Sequence, residues 1–142
     1  MSCKILNTLF LLKLQISAII VTGGIGGGNF SYIKSVELLK ENGSYWCSLP
    51  DLPYAFDIHT QSGLVTCGGA STHSITSCLT FSMSLGQWTT SHSLQYQRLG
   101  HSAWQTNQGI LLFGSVNSMN TSEILTDDGQ SMPSFGLKYD TK

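Results

Sequence analysis

Short apolar runs that end in glycine organise this chain. Residues 64–67, Leu-Val-Thr-Cys, end in a glycine pair, and a second run at residues 78–81 leads through a turn at Gly86 to Trp88. Alternating apolar and β-branched residues, separated by glycine and serine, are typical of two antiparallel strands joined by a hairpin. The pattern therefore predicts a hairpin at the centre of the chain, with a further strand after it.

The same unit recurs at a nearly constant interval. Glycine pairs, or Gly-Ser in the last copy, begin at Gly23, Gly68 and Gly114, so the spacing is 45 and then 46 residues. Glu37 and Glu123, in the third strand expected of the first and last units, are 86 residues apart, which is close to two periods. A fixed interval of this size predicts a solenoid, a propeller or an array, and all-strand units favour four-stranded propeller blades.

These residues resemble the kelch repeat. Its unit has an apolar strand closed by a glycine doublet, then an aromatic residue, six residues and a Trp, which Phe81 and Trp88 match. Residues 98–103, Arg-Leu-Gly-His-Ser-Ala, are similar to the kelch stretch that enters the inner strand of the next blade. The resemblance covers about residues 19–141. It implies an all-β fold, an incomplete β-propeller of about three kelch-like four-stranded blades.

The match is imperfect at three positions. Leu39 stands where the first blade should carry the aromatic residue, Met132 stands where the third should carry the Trp, and Ser115 breaks the last glycine doublet. Three blades are fewer than the four to eight that usually close a propeller. We therefore expect a fragment of a longer protein, or self-association through open blade edges. The expected divisions are a signal peptide at 1–18, a first blade at 19–55, a second at 56–97 and a degenerate third at 98–142.

The glycine-rich segment 19–31 has a second interpretation. Alone, it is similar to the strand-to-glycine-loop entry of a dinucleotide-binding fold, with residues 31–42 as the following helix. The G-x-G-x-x-G spacing fails, because the last position counted from Gly24 falls on Asn29. The match of Val-Thr-Gly-Gly to Val-Thr-Cys-Gly-Gly one period later favours the kelch-like interpretation, in which the glycines permit tight backbone geometry after a strand.

Three features favour a secreted or extracellular protein over a cytoplasmic one. Residues 1–18 have a lysine near the start, an apolar centre and a small-residue end, the outline of a signal peptide, with an inner strand of the first blade as an equal alternative. Cys67 and Cys78 flank the hairpin symmetrically, so a disulfide fits if they form a non-hydrogen-bonded pair; two buried free thiols are the alternative. N-glycosylation sequons begin at Asn29, Asn42 and Asn120.

Composition and resemblance together favour a binding module. With 11% charged residues and a net charge of −1, there is no electrostatic case for nucleic acid or a membrane surface. The resemblance implies a protein partner held by loops at one face, and no membrane insertion. Tyr96 and Arg98 are the candidate contact residues, since Tyr and Arg are enriched in binding hot spots, although Arg98 could instead brace neighbouring loops. In this chain, the segments that correspond to that binding face are the loops 25–31, 70–76 and 115–120 and the links 54–57 and 95–98.

Catalytic chemistry has little support. His59 and His101 occupy the same repeat position, and either a metal pair or, the interpretation we favour, a hydrogen bond from each to the backbone of its own blade would explain them. No spacing matches a zinc site, and no Ser-His-Asp or paired-carboxylate arrangement stands out. We expect no enzyme, cofactor or metal. The alternatives are part of a copper radical oxidase-like (galactose oxidase-like) propeller, or a truncated gene product without independent function.

Overall fold

The structure, a computed structural model, is all-β over the residues it describes and contains no helix there. Those residues are 18–26, 31–40, 43, 45–55, 57, 59–70, 76–116, 119–128 and 130–134. Residues 1–17 of the expected signal peptide and the sequons at Asn29 and Asn42 lie outside them. The strands are β1 (Ala18–Gly26), β2 (Ser31–Lys40), β3 (Cys47–Leu49), β4 (Thr60–Ser62), β5 (Val65–Cys67), β6 (Ser77–Ser82), β7 (Gln87–Ser93), β8 (Ser102–Thr106), β9 (Gly109–Phe113), β10 (Ser122–Leu125) and β11 (Ser131–Ser134).

The strands form three antiparallel sheets in which neighbours along the chain are neighbours in space. Sheet 1 has the order β1-β2-β3, sheet 2 the order β4-β5-β6-β7, and sheet 3 the order β8-β9-β10-β11. Two sheets have the four strands that the repeat predicts, and sheet 1 has three among the described residues. The helix considered for residues 31–42 is wrong, because Ser31–Lys40 is strand β2 and pairs along its length with β1.

The first junction, between sheets 1 and 2, is an apolar layer. Sheet 1 and the link after it contribute Val36, Leu49 and Leu52, and sheet 2 contributes Phe81 and Trp88 with Leu79. Phe81 and Trp88 are cross-strand partners on β6 and β7, with ring centroids 5.3 Å apart in an edge-to-face arrangement. The Trp88 indole N–H also donates to the carbonyl of Pro50 at 2.9 Å. The predicted aromatic–x6–Trp spacing thus places both rings in this core.

The second junction, between sheets 2 and 3, contains the disulfide between Cys67 and Cys78. The two cysteines are register partners, and the amide of Gly68 donates to the carbonyl of Ser77 on the adjoining pair at 3.1 Å. That bond identifies the cysteines as a non-hydrogen-bonded pair, the closer of the two antiparallel geometries, and their Cα atoms are 4.1 Å apart. The alternative of two free thiols is therefore wrong. Ile110, Leu112 and Leu125 of sheet 3 pack against the cysteines.

Strand alternation gives each sheet a preceding face, toward the sheet before it, and a following face, toward the sheet after it. Ile20 of β1 packs in the first junction, so its neighbours Ile19 and Val21 lie on the preceding face of sheet 1. Leu112 of β9 packs in the second junction, so Leu111 lies on the following face of sheet 3. These two outer faces are not covered by another sheet of the described chain.

Candidate interaction surface

Links and loops meet at one end of the sheets, which we call the loop end: described residues 54–55, 57, 68–70, 95–101, 114–116 and 119–121. Asp57, in the link after sheet 1, exchanges two backbone hydrogen bonds with Ala70, in the β5–β6 loop. The amide of Gly69 donates to the carbonyl of Arg98, and that of Val116 donates to the carbonyl of Leu99. The loops and links therefore form one continuous hydrogen-bonded surface.

A fully buried ion pair lies beneath the loop end. The guanidinium Nε of Arg98 donates to Glu123 Oε1 at 2.5 Å, and both side chains are inaccessible to solvent. Arg98 Nη1 donates to the carbonyls of Gly114 and Thr121, and Glu123 Oε2 accepts from the amide of Gln95. Buried charges require a partner and further hydrogen bonds to offset their desolvation. These bonds join the link, the β9–β10 loop and strand β10, and they leave Arg98 Nη2 as the one nitrogen of the guanidinium without a hydrogen-bond partner among the described residues.

The two candidate contact residues are placed differently. Arg98 is buried, so its position corresponds to the alternative in which it braces neighbouring loops. Tyr96 is 40% exposed at the loop end, and its ring covers Arg98, with the guanidinium carbon 5.8 Å from the ring centroid. Only Tyr96 of the two therefore offers a surface to a partner.

The second glycine doublet permits this close approach of link and loop. Gly68 and Gly69 have φ values of 63° and 96°, a left-handed conformation that L-residues with side chains rarely adopt. A Cβ on Gly68 would lie 2.6 Å from the carbonyl oxygen of Arg98 and 2.7 Å from Cε1 of His101. The doublet is therefore required by its backbone conformation and by the link that packs on it.

The two equivalent histidines hydrogen-bond to threonines of the preceding sheet. His101 Nε2 lies 2.7 Å from Thr60 Oγ1, and His59 Nε2 lies 2.8 Å from Thr22 Oγ1. The prediction that each binds backbone of its own unit is wrong for His101, whose bond reaches from the third unit to the second. His59 makes the same kind of contact from the second unit to the first. Both side chains thus connect consecutive sheets.

The network at His59 determines its tautomer. The Gln61 amide nitrogen donates to the carbonyl of Gly63, so the Gln61 oxygen accepts the hydroxyl proton of Thr22 at 2.9 Å. With its only proton donated, the Thr22 hydroxyl must accept from His59, which therefore carries a proton on Nε2. Burial lowers the pKa of His59 below its usual value, and burial together with Arg98 lowers the pKa of His101 to about 4. Both rings are neutral at pH 7.

The exposed side of the loop end is apolar in part. Val116 and Met119, in the β9–β10 loop, are 66% and 76% exposed. Val116 lies against the link that carries Tyr96, because its amide donates to the carbonyl of Leu99 and the neighbouring Ser115 Oγ donates to the carbonyl of Gln97. Large apolar side chains that stay exposed next to a rigid backbone are a common mark of protein-binding surfaces.

The one described sequon lies in the same loop. Asn120 is exposed in the turn that precedes β10, and its third residue, Ser122, is the buried first residue of that strand. An asparagine at this place leaves a glycan room in solvent. A glycan attached there would lie beside Met119, at the margin of the loop end.

The sequence did not identify the main structural partners at this end. Glu123 was noticed only as a marker of the repeat, and its pairing with Arg98 was not predicted. Thr22, Thr60 and Gln61, which bind the two histidines, were also missed. The available signal was an acidic residue inside an otherwise apolar strand, since a buried carboxylate calls for a cationic partner nearby in the fold.

A metal-binding cluster and a membrane-spanning helix are both absent from the described residues. In them, no group of three or more His, Cys, Asp or Glu side chains is arranged to hold a metal ion. The described part of the chain also contains no helix that could span a membrane. No protein-family model matches the chain, and no curated protein matches it. The loop end, with its buried ion pair and exposed apolar rim, is therefore the candidate site on structural grounds alone.

Proposed function

We propose that this chain is a non-catalytic protein-interaction module made of three kelch-like propeller blades, and that it acts outside the cell. The observation that carries the proposal is the loop end, a hydrogen-bonded surface with exposed apolar side chains. Tyr96, Val116 and Met119 are the contact residues we assign to it. Arg98 contributes by holding the link and the β9–β10 loop in place.

The rigidity of the loop end supports a binding role. Immobilising side chains and loops on association costs free energy, and a surface that is already ordered avoids part of this cost. The Arg98–Glu123 pair and its backbone contacts order the loop before any partner arrives. Tyr96 is a large, stiff side chain whose ring already packs over Arg98. Such aromatic residues dominate the energetics of many interfaces.

The extracellular assignment is supported by the disulfide and by the exposed sequon. Disulfides form and persist mainly in oxidising compartments, and Cys67–Cys78 is buried within the second junction. Asn120 is accessible in a turn, as a glycan acceptor must be.

The binding role is tested by comparing two ends of the same molecule. The full chain, Val116→Asp/Met119→Asp, and the control Leu85→Asp are immobilised and exposed to cell-surface and secreted proteins, which are quantified by mass spectrometry. Leu85 is exposed in the β6–β7 turn, away from the loop end. We expect a partner retained by wild type and the control but lost by the double variant. Equal capture by all three proteins would overturn the assignment.

The extracellular assignment is tested by the intact mass of the chain secreted from a eukaryotic cell. We expect a loss of mass on enzymatic deglycosylation, absent at that site in Asn120→Gln, and a mass increase on reduction and alkylation that includes Cys67 and Cys78. A chain recovered only in the cytosol, with alkylatable thiols before reduction, would contradict this assignment while leaving the binding role open.

A further inference from the structure

The following face of sheet 3 carries an apolar row across its strands. Trp104 of β8 is the register partner of Leu111 of β9, and Leu111 is the partner of Ile124 of β10. The neighbours of these residues, Ala103, Leu112 and Leu125, pack in the second junction, so the row lies on the opposite face. Trp104 is 68% exposed. An exposed apolar row of this length is a candidate interface.

The preceding face of sheet 1 is also open. Ile19 and Val21 of β1 are about half exposed, and their register partners on β2 are Leu39 and Glu37. Ile20 and Leu38, which alternate with them, pack in the first junction. The described chain therefore ends in two open faces of opposite kind, one preceding and one following.

Inside the chain, one rule governs how such faces are covered. The following face of sheet 1 packs on the preceding face of sheet 2, and the following face of sheet 2 packs on the preceding face of sheet 3. In each sheet, the strand residue two positions before the glycine doublet has a register partner on the next strand, and this partner lies on the preceding face. The partners are Glu37 in sheet 1, Leu79 in sheet 2 and Glu123 in sheet 3. Leu79 is buried in the first junction and Glu123 is buried against Arg98 of the link before sheet 3, whereas Glu37 is exposed. Sheet 1 thus has a preceding face like those of sheets 2 and 3, but no other sheet of the described residues packs on it.

We propose that two copies of this chain associate head to tail, with the following face of sheet 3 of each copy packed on the preceding face of sheet 1 of the other. The contact would repeat the geometry of the two junctions inside the chain. The partner is a second copy because its sheet 1 offers the kind of face that covers a following face at both internal junctions. This assembly does not depend on what the loop end binds.

The same geometry sets the number of copies. The two contact faces differ, so the interface is heterologous, and such interfaces form rings when the rotation closes and filaments when it does not. The described residues of two copies form six sheets, which lies within the range of about four to eight blades in closed propellers. A pair covers both open faces of the described sheets in each copy. A contact between two identical sheet 3 faces would leave both sheet 1 faces uncovered.

The experiment measures the mass of the full chain by sedimentation velocity over a range of micromolar concentrations. The variants are Trp104→Lys on sheet 3 and Ile19→Glu on sheet 1. The control is Leu85→Lys, because Leu85 is 64% exposed and lies on neither of the two proposed contact faces. Thermal unfolding of each variant checks that the fold persists, as expected for exposed positions. We expect wild type and control to form dimers, and each interface variant to weaken dimerisation at least about tenfold, since central aromatic and aliphatic contacts dominate interfaces.

Mixing the two variants distinguishes head-to-tail pairing from other modes. A pair of one Trp104→Lys chain and one Ile19→Glu chain keeps one intact contact, because its unaltered sheet 3 faces an unaltered sheet 1. We expect the mixture to recover dimers that neither variant forms alone. Normal dimerisation of Ile19→Glu would overturn the proposal in favour of identical-face contacts. A monomeric wild type at about 100 μM, or a ladder of larger species, would overturn the closed pair.

Discussion

The two internal junctions solve the same packing problem with different chemistry. At the first, Leu79 of β6 packs in an apolar cluster beside Phe81 and Trp88. At the second, the position equivalent to Leu79 holds Glu123, and the link supplies Arg98 to neutralise it. The register of the strands establishes this equivalence. Leu79 pairs with Thr66, and Glu123 pairs with Leu112. Thr66 and Leu112 lie two residues before Gly68 and Gly114, the first glycines of the second and third repeats.

The difference shows what an ion pair adds where leucine also fits. Replacing a buried pair by apolar side chains often leaves stability unchanged or improves it. The pair at the second junction therefore does not account for the packing of the sheets. It binds the carbonyls of Gly114 and Thr121 and the amide of Gln95, so it sets the positions of the loop and link at the candidate site. The first junction stabilises the packing of the sheets, whereas the second also sets the positions of the loop and link at the candidate site.

The strongest test of this contrast breaks the ion pair. Glu123→Leu leaves the buried charge of Arg98 uncompensated, so we expect a loss of about 3–5 kcal/mol in the free energy of unfolding. Arg98→Met/Glu123→Leu recreates the chemistry of the first junction and should lose less than the single variant. Urea denaturation of both, with Leu79→Ala as an apolar reference expected to lose about 2–5 kcal/mol, measures the difference.

The outcome separates stability from positioning. If the double variant recovers stability but the loop end loses its partner, the pair acts by holding the loop. A double variant less stable than Glu123→Leu alone would show that the second junction requires its charges for packing, against our interpretation.

The disulfide is the next difference, since the positions equivalent to Cys67 and Cys78 hold Thr22 and Val36 in sheet 1. Cross-linking two residues separated by 11 positions stabilises by about 3 kcal/mol on the chain-entropy account. We expect Cys67→Val/Cys78→Val to lose about that amount, because valine keeps an apolar side chain in these buried strand positions. Calorimetry of the purified variant checks it. Unchanged stability would show that register, rather than the cross-link, holds this hairpin.

Local features of the fold were predictable from the sequence because they depend on near neighbours. The hairpin between β5 and β6 has alternating residues on both sides of a short loop, which predicted the two strands and allowed, without requiring, a disulfide between Cys67 and Cys78. The strand expected at Glu123 in the last unit is likewise present, as β10. These predictions needed only strand periodicity and turn chemistry.

Contacts between units were not predictable in the same way. Whether Arg98 faces solvent or Glu123 depends on how a link folds over the next sheet, and 25 positions separate the two residues. His101 and Thr60 are 41 positions apart, so nothing local indicated that the histidine would reach across the junction. Repeats specify the unit, but the partner that a polar side chain meets across a junction depends on how the link folds between units.

The glycine doublets offer a smaller comparison between sheets 1 and 2. Gly24 and Gly69 are each the second glycine of a doublet and have φ values of 111° and 96°, so alanine is strained at both by about 1–3 kcal/mol. A Cβ on Gly24 meets nothing within 4 Å, whereas one on Gly69 would lie 2.5 Å from the carbonyl oxygen of Asp57. We expect Gly69→Ala to cost about 1–3 kcal/mol more than Gly24→Ala, the price of overpacking. Paired denaturation curves test this, and equal losses would show that the link yields.

Acid should weaken the second junction through His101, the smallest effect we predict. The pKa of His101 is lowered to about 4 in the folded chain by burial and by Arg98, below the value of about 6.5 in an unfolded chain. The unfolded state therefore binds more protons between these values, so stability falls as the pH drops from about 6.5 toward 4. His101→Gln removes this titration and should flatten the decline in melting temperature over that window. His59→Gln is the matched variant at the first junction, where burial lowers the pKa in the same direction. An unchanged pH profile in His101→Gln would place the acid sensitivity in the carboxylates instead.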